Sequence, residues 1–240
     1  MSAPVAAEHP PGTIALSVSD LGRYHDFTMA LRSTMEPPGT VVHMMRSLSI
    51  PANLNIIIRD MRPESEWLWI QADDQVWEPP ALLSLLDRQV EVVVPLITRR
   101  HPPFSTLVFK EQTEEGFKPY AYDELPREGL LEVYSCGSGG MLIRRSVLDK
   151  IREWQGHDRI FEYLAGEVPN EDTEFCRKLR EVGVPIYCDV EVRMGHCGMF
   201  IAWPHCNEEG KWGINFQMGD ARNGLVEGVF VQPGDRPPGA

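Results

Sequence analysis

Three groups of residues in this chain have types and spacing suited to chemistry: the adjacent carboxylates Asp73 and Asp74, the acidic pair Glu171 and Asp172, and His196 in the run Gly195-His196-Cys197-Gly198. Neighbouring carboxylates at a strand end suit a hard divalent cation such as Mg2+ or Mn2+, which takes oxygen ligands from one or two carboxylates and from substrate phosphates. The same pair also fits a solvated turn. Glu171 and Asp172 fall in the first turn of a predicted helix, where acidic groups favour the helix dipole whether or not they serve a site. His196 between glycines could reach a neighbouring site or be structural. The basic run Thr98-Arg99-Arg100-His101 could neutralise a diphosphate, grip an acidic acceptor or be a solvated loop. Gly137, Gly139 and Gly140 surround Ser138 and permit close backbone approach, to a ligand or between strands. That turn lacks the Gly-Lys-Ser/Thr of a P-loop and opens no helix as a dinucleotide fingerprint does.

The elements that must position these groups follow from hydrophobic periodicity. Glu66 to Ala72 is a short aromatic-rich run, read as a buried strand ending at the two Asp, and Pro79-Pro80 then opens a helix with Leu82, Leu83, Leu85 and Leu86. Thr13 to Val18 reads as a first strand, Tyr24 to Thr34 as a helix, Thr40 to Met45 as a second strand. Ser49 and Pro51 start a helix with Leu54, Ile57, Ile58 and Met61 on one face. Strand and helix thus alternate three times, which predicts an α/β fold whose sheet is mainly parallel and flanked by helices. Val90 to Ile97 is a further buried strand, with Pro95 limiting its pairing. The polar segment 111–127 reads as a mobile loop, and 130–135 and 140–144 as strands around the glycine turn. Ser146 is the expected cap of a helix with Val147, Leu148, Ile151 and Trp154 on its apolar face. Another helix starts at Asn170 and stops at Gly183, and 186–193 alternates as a half-buried strand, leaving His196 in the turn beyond it.

These readings make 13–200 one domain, with a flexible arm at 1–12, loops covering the site at 201–231 and a disordered tail at 232–240. The 240-residue chain has a formal charge of −12, which argues against broad electrostatic binding of nucleic acid. No run reaches transmembrane length and the start has no signal-peptide pattern, so a cytoplasmic location is expected. Five cysteines without CxxC spacing read as reduced and mostly buried. His196-Cys197 and His205-Cys206 would form a zinc site only if the fold brought the pairs together.

Four runs in order, WLWIQADDQVWEP at 67–79, CGSGGMLIRRSVL at 136–148, EDTEFCRKLREVG at 171–183 and GHCG at 195–198, resemble a GT-A-fold glycosyltransferase. More narrowly, they look like small soluble relatives of the family that includes cellulose and hyaluronan synthases, found in bacteria and tailed phages. In a phage, the location would be the host cytoplasm. The resemblance implies a single Rossmann-like GT-A domain that moves a sugar from a nucleotide-diphosphate donor to a hydroxyl acceptor. It implies Mn2+ or Mg2+ held by Asp74, with Asp73 on metal, water or ribose and His196 as a third ligand. It further implies Asp172 as general base with Glu171 beside it, and Ser17, Ser19 and Asp20 at the nucleotide. Gln71 or Ala72 stands where the family has the first Asp of its Asp-x-Asp turn. A catalytically silent GT-A module and a nucleotidyltransferase on the same fold are the alternatives. The acceptor could be a protein side chain, a glycan, a small molecule or, less in keeping with the acidic charge, a modified DNA base.

Overall fold

The structure is a computed structural model that describes residues 9–18, 25–46, 49–163, 171–198 and 201–217. Strands β1 (Thr13–Ser17), β2 (Val41–Met45), β3 (Trp67–Ala72), β4 (Gln75–Trp77) and β5 (Val92–Ile97) alternate with helices α1 (His25–Ser33), α2 (Ile50–Arg59) and α3 (Ala81–Asp87). There follow β6 (Val108–Thr113), β7 (Gly116–Pro119), β8 (Leu130–Val133), β9 (Ser135–Cys136) and β10 (Leu142–Arg144). Helices α4 (Arg145–Gln155) and α5 (Glu171–Glu181) precede the long β11 (Ile186–Cys197) and the hairpin of β12 (Ile201–Cys206) and β13 (Trp212–Gln217).

The main sheet has the order β13-β12-β11-β5-β10-β3-β1-β2. β1 is parallel to β2 and β3, β11 is parallel to β5, and β10 runs antiparallel to both β3 and β5. Between β2 and β11, therefore, only β10 opposes the common direction. The ends of β1, β3, β5 and β11 emerge on one edge, and the glycine turn enters β10 from that edge. This is where an open α/β sheet gathers its ligands.

Alternation along β3 sends Trp67 and Trp69 to one face and Leu68 and Ile70 to the other. On the first face they join Phe27 of α1 and Leu82 and Leu85 of α3, with Trp69 edge-on to Trp77 at 5.3 Å. On the second they meet Leu54 and Ile57 of α2, Val147 and Ile151 of α4 and Phe175 and Leu179 of α5. β5 is buried along its whole length, as expected of a strand covered on both sides. Pro95 has no N–H to give β11, and the register shifts there, between Asp189 and Arg193. Asp189 is fully buried and ionically satisfied, because Arg88 at the end of α3 grips it with bonds of 2.6 and 3.0 Å.

Several expectations are corrected by tertiary contacts. Residues 9–12 are no loose arm: the Trp67 indole donates to the Pro10 carbonyl at 2.9 Å, Glu66 N donates to Pro11 O, and Gly12 lies flat on the Trp67 ring. Residues 1–8 lie outside the described residues. The segment 111–127 holds the β6–β7 hairpin and a 3-10 turn at Tyr122–Glu124 instead of an open loop. Helix α4 starts before Ser146, because Arg144 N and Arg145 N are already taken by the Glu91 and Glu66 carbonyls. Trp154 is exposed and takes no part in the apolar face of that helix. Within the expected covering loops of 201–231, residues 201–206 and 212–217 are strands that extend the sheet through the His196–Ala202 pair. The rest of that span and the 232–240 tail lie outside the described residues. Among the described residues no helix is long and apolar enough to cross a membrane.

Candidate functional site

Asp73 and Asp74 occupy the turn between β3 and β4, which carries the chain from the middle of the sheet to β11. The turn is fastened to the end of β11 by Cys197 N, which donates to Asp74 O at 2.7 Å. His196 is not in a turn, as the flanking glycines suggest, but on β11 opposite Gln75. Its Nε2 lies 3.3 Å from Asp74 Oδ2 and its Nδ1 lies 3.0 Å from the Thr98 carbonyl. The carbonyl and the carboxylate both only accept, so each of these contacts is one in which the imidazole donates. Arg100, two residues along from Thr98, donates Nη1 to the same Asp74 oxygen at 2.5 Å. Burial by itself would raise the Asp74 pKa. The hydrogen bond and charge of His196 and the charge of Arg100 outweigh it and hold the carboxyl below its ordinary range.

The glycine turn joins this cluster to the acidic pair. Gly140 N donates to Ile70 O at 2.8 Å and the Trp69 indole donates to Gly140 O at 2.9 Å, pinning the turn to β3. A Cβ on Gly139 would fall 2.0 Å from Gln75 Nε2, so its missing side chain is filled by the residue after Asp74. One residue earlier, buried Ser138 hydrogen-bonds the Asp172 carboxylate through both its hydroxyl and its backbone. The open face of Gly139 thus has a packing cause, and the turn bridges Gln75 and Asp172.

Glu171 and Asp172 begin α5. Burial raises the Asp172 pKa against the lowering effect of the Ser138 hydrogen bonds. Burial, together with the charge of Asp172, pushes Glu171 up to about 7. The native state therefore binds more protons than the unfolded chain between the ordinary carboxylate range and neutrality, and stability falls as pH rises through that window. Glu171→Gln removes that loss. Relative to wild type it is expected to gain up to about 3 kcal/mol above pH 7 and nothing below pH ~4, read from urea unfolding at both pH values.

Ser17 ends β1 beside Ala72, the residue before the acidic turn, and its Oγ accepts from Asn53 Nδ2 of α2 at 3.0 Å. Ser19 and Asp20 lie outside the described residues. The sequence places Thr98 and Ser138 only within the basic run and the glycine turn, and it does not mark Gln75 or Asn53 as site neighbours. Thr98 acts through a backbone carbonyl and leaves no signature in residue type, while the other three are ordinary polar residues made relevant by long-range pairing. Among the described residues no group of three or more His, Cys, Asp or Glu side chains is assembled as a metal cluster, so the two His-Cys pairs do not make a zinc site. Asp74 and His196 do offer one ionised oxygen and one oriented nitrogen. That set fits a hard or borderline divalent cation whose remaining ligands come from phosphate and water.

Neither a protein-family model nor a curated protein matches the sequence. Solved structures do match the fold, which is α/β with a mainly parallel central sheet. The crystal structure of A197 from STIV superposes with a TM-score of 0.52 at 15% identity, over 87% of this chain and 95% of that one. GalNAc-T7, solved with UDP, GalNAc and Mn2+, gives 0.48 at 13% identity over 80% of this chain and 44% of that one. The catalytic domain of Drosophila beta1,4galactosyltransferase 7, in complex with xylobiose, gives 0.43 at 14% identity over 74% of this chain and 65% of that one.

Proposed function

We propose that this protein is a metal-dependent glycosyltransferase that moves a sugar from a nucleotide-diphosphate donor to a hydroxyl acceptor. The observation that carries the proposal is the convergence on one sheet edge: Asp74, His196 and Arg100 form one cluster, and the Gly137–Gly140 turn ties it through Gln75 and Ser138 to Asp172. Asp74 and His196, with Asp73 beside them, would hold Mn2+ or Mg2+. When bound, the ion offsets charge on the departing diphosphate. Ser17, with Ser19 and Asp20, belongs to the nucleotide end. Asp172 takes the proton from the attacking hydroxyl, and Ser138 keeps its carboxylate in place for that task. Glu171, protonated up to near neutrality, spares Asp172 a second negative charge at its side.

The donor class is tested by thermal unfolding with UDP, GDP, CDP and dTDP and their sugars, each with and without Mn2+, since a ligand of the native state raises the midpoint. One nucleotide is expected to give a shift that needs Mn2+. Asp74→Ala should lose that shift and all transfer while keeping its unliganded midpoint within a few degrees. Transfer retained by Asp74→Ala, or no shift with any nucleotide, would overturn the reading.

A further inference from the structure

Arg100 occupies Asp74 from the side that a cation would use. Its Nη1 donates to Asp74 Oδ2 at 2.5 Å and to the Cys197 carbonyl at 3.3 Å, so one guanidinium spans the acidic turn and the end of β11. The same Oδ2 faces His196 Nε2 at 3.3 Å. It is the atom that the guanidinium and any ion shared between Asp74 and His196 must both use. The Asp74 and His196 side chains are only 22% and 16% exposed, so little water lies between to screen two positive charges meeting there. The Arg100 side chain itself is 35% exposed, which gives its flexible stem an open side to turn toward.

We propose that Arg100 is a built-in counter-ion of Asp74 that competes with the divalent cation for Oδ2 and, once released, binds the phosphate oxygens of the donor. The proposal rests on the donor reading above. The guanidinium fork suits phosphate in a bidentate contact, and phosphate is the anion that enters this site. Cation and diphosphate are thereby coupled: Arg100 opposes the cation when it comes alone and ceases to oppose it when an anion takes the released guanidinium. Arg100 is a positioning residue toward the metal and a binding residue toward the phosphate.

The test titrates Mn2+ alone into the full chain, reading free Mn2+ by electron paramagnetic resonance, for wild type, Arg100→Gln, Arg100→Lys and Asp74→Asn. Arg100→Gln is expected to bind Mn2+ about tenfold tighter than wild type, the worth of one charge-assisted hydrogen bond. Arg100→Lys, which keeps the charge, should stay near wild type, and Asp74→Asn should lose binding. In a second arm, inorganic pyrophosphate is titrated in EDTA. Asp74→Asn, which frees Arg100, should bind it about tenfold tighter than wild type, and the double variant with Arg100→Gln should lose the gain. Thermal melts without ligand confirm that each variant is folded. Equal or weaker Mn2+ binding by Arg100→Gln overturns the competition, as does Mn2+ binding to neither protein. No pyrophosphate gain in Asp74→Asn overturns the phosphate role. If both arms behave as expected and no nucleotide sugar shifts the melting midpoint, the competition at Asp74 and the phosphate binding by Arg100 stand and the donor reading falls.

Discussion

Asp172→Asn is expected to lower the turnover of sugar transfer by about 10²- to 10⁴-fold with donor affinity unchanged. The amide is isosteric with the carboxylate and its oxygen still accepts from Ser138, so the local geometry survives. What disappears is the lone-pair basicity that removes a proton from the acceptor hydroxyl. Stability should hold or rise slightly, because burial disfavours the charge that is removed. Single-turnover rates under donor saturation, alongside calorimetric donor binding, read the two quantities separately. Unchanged turnover would remove Asp172 from the chemistry. Loss of donor binding would reassign it to the nucleotide site.

Gly140→Ala should be the most damaging small substitution near the site, costing about 3 kcal/mol or more, or roughly 10 °C in melting midpoint. Gly140 has φ of +73° and so lies in the left-handed region, where a side chain is strained. A Cβ there would also meet Pro95 Cγ at 2.4 Å and Met194 Sδ at 2.8 Å, inside the contact of β5 with β11. The Pro95 ring is held by a buried strand and cannot step aside. Because Gly140 also accepts from the Trp69 indole and donates to Ile70 O, strain there should move the turn that joins Gln75 to Asp172. Chemical denaturation measures the cost. A loss below about 1 kcal/mol would mean that the turn absorbs a methyl group freely.

The order of elements was legible because each depends on local physics. The apolar runs that became β3 and β5, the cap Ser49 with its bond from Ala52 N, and the stop at Gly183 are all written in neighbouring residues. Failures came where a long-range contact overrode a local preference. The 111–127 segment is polar along the chain yet pairs as a hairpin, with β6 also held by β9. Ser146 is a good cap that lost the helix start to two hydrogen bonds that Arg144 N and Arg145 N donate to distant carbonyls. The hairpin of β12 and β13 looked like loops because its glycines and scattered aromatics carry no clear alternation, whereas its strand character comes from pairing with β11.

For the site, the sequence by itself determined the residue types and their places at strand and helix ends: two carboxylates after a buried strand, an acidic pair opening a helix, a basic run after β5 and a glycine-rich turn. Only the tertiary structure decided which of them meet. A strand's direction and order in a sheet depend on hydrogen bonds between segments far apart in sequence, and those fix Asp74 on His196 and Arg100, and Asp172 on Ser138. The sequence left Arg100 open between a solvated loop and an anion site. Placing the carboxyl ends of β3, β5 and β11 on one edge put its guanidinium against Asp74, because those three strands share one direction and the β10 between β3 and β5 opposes it.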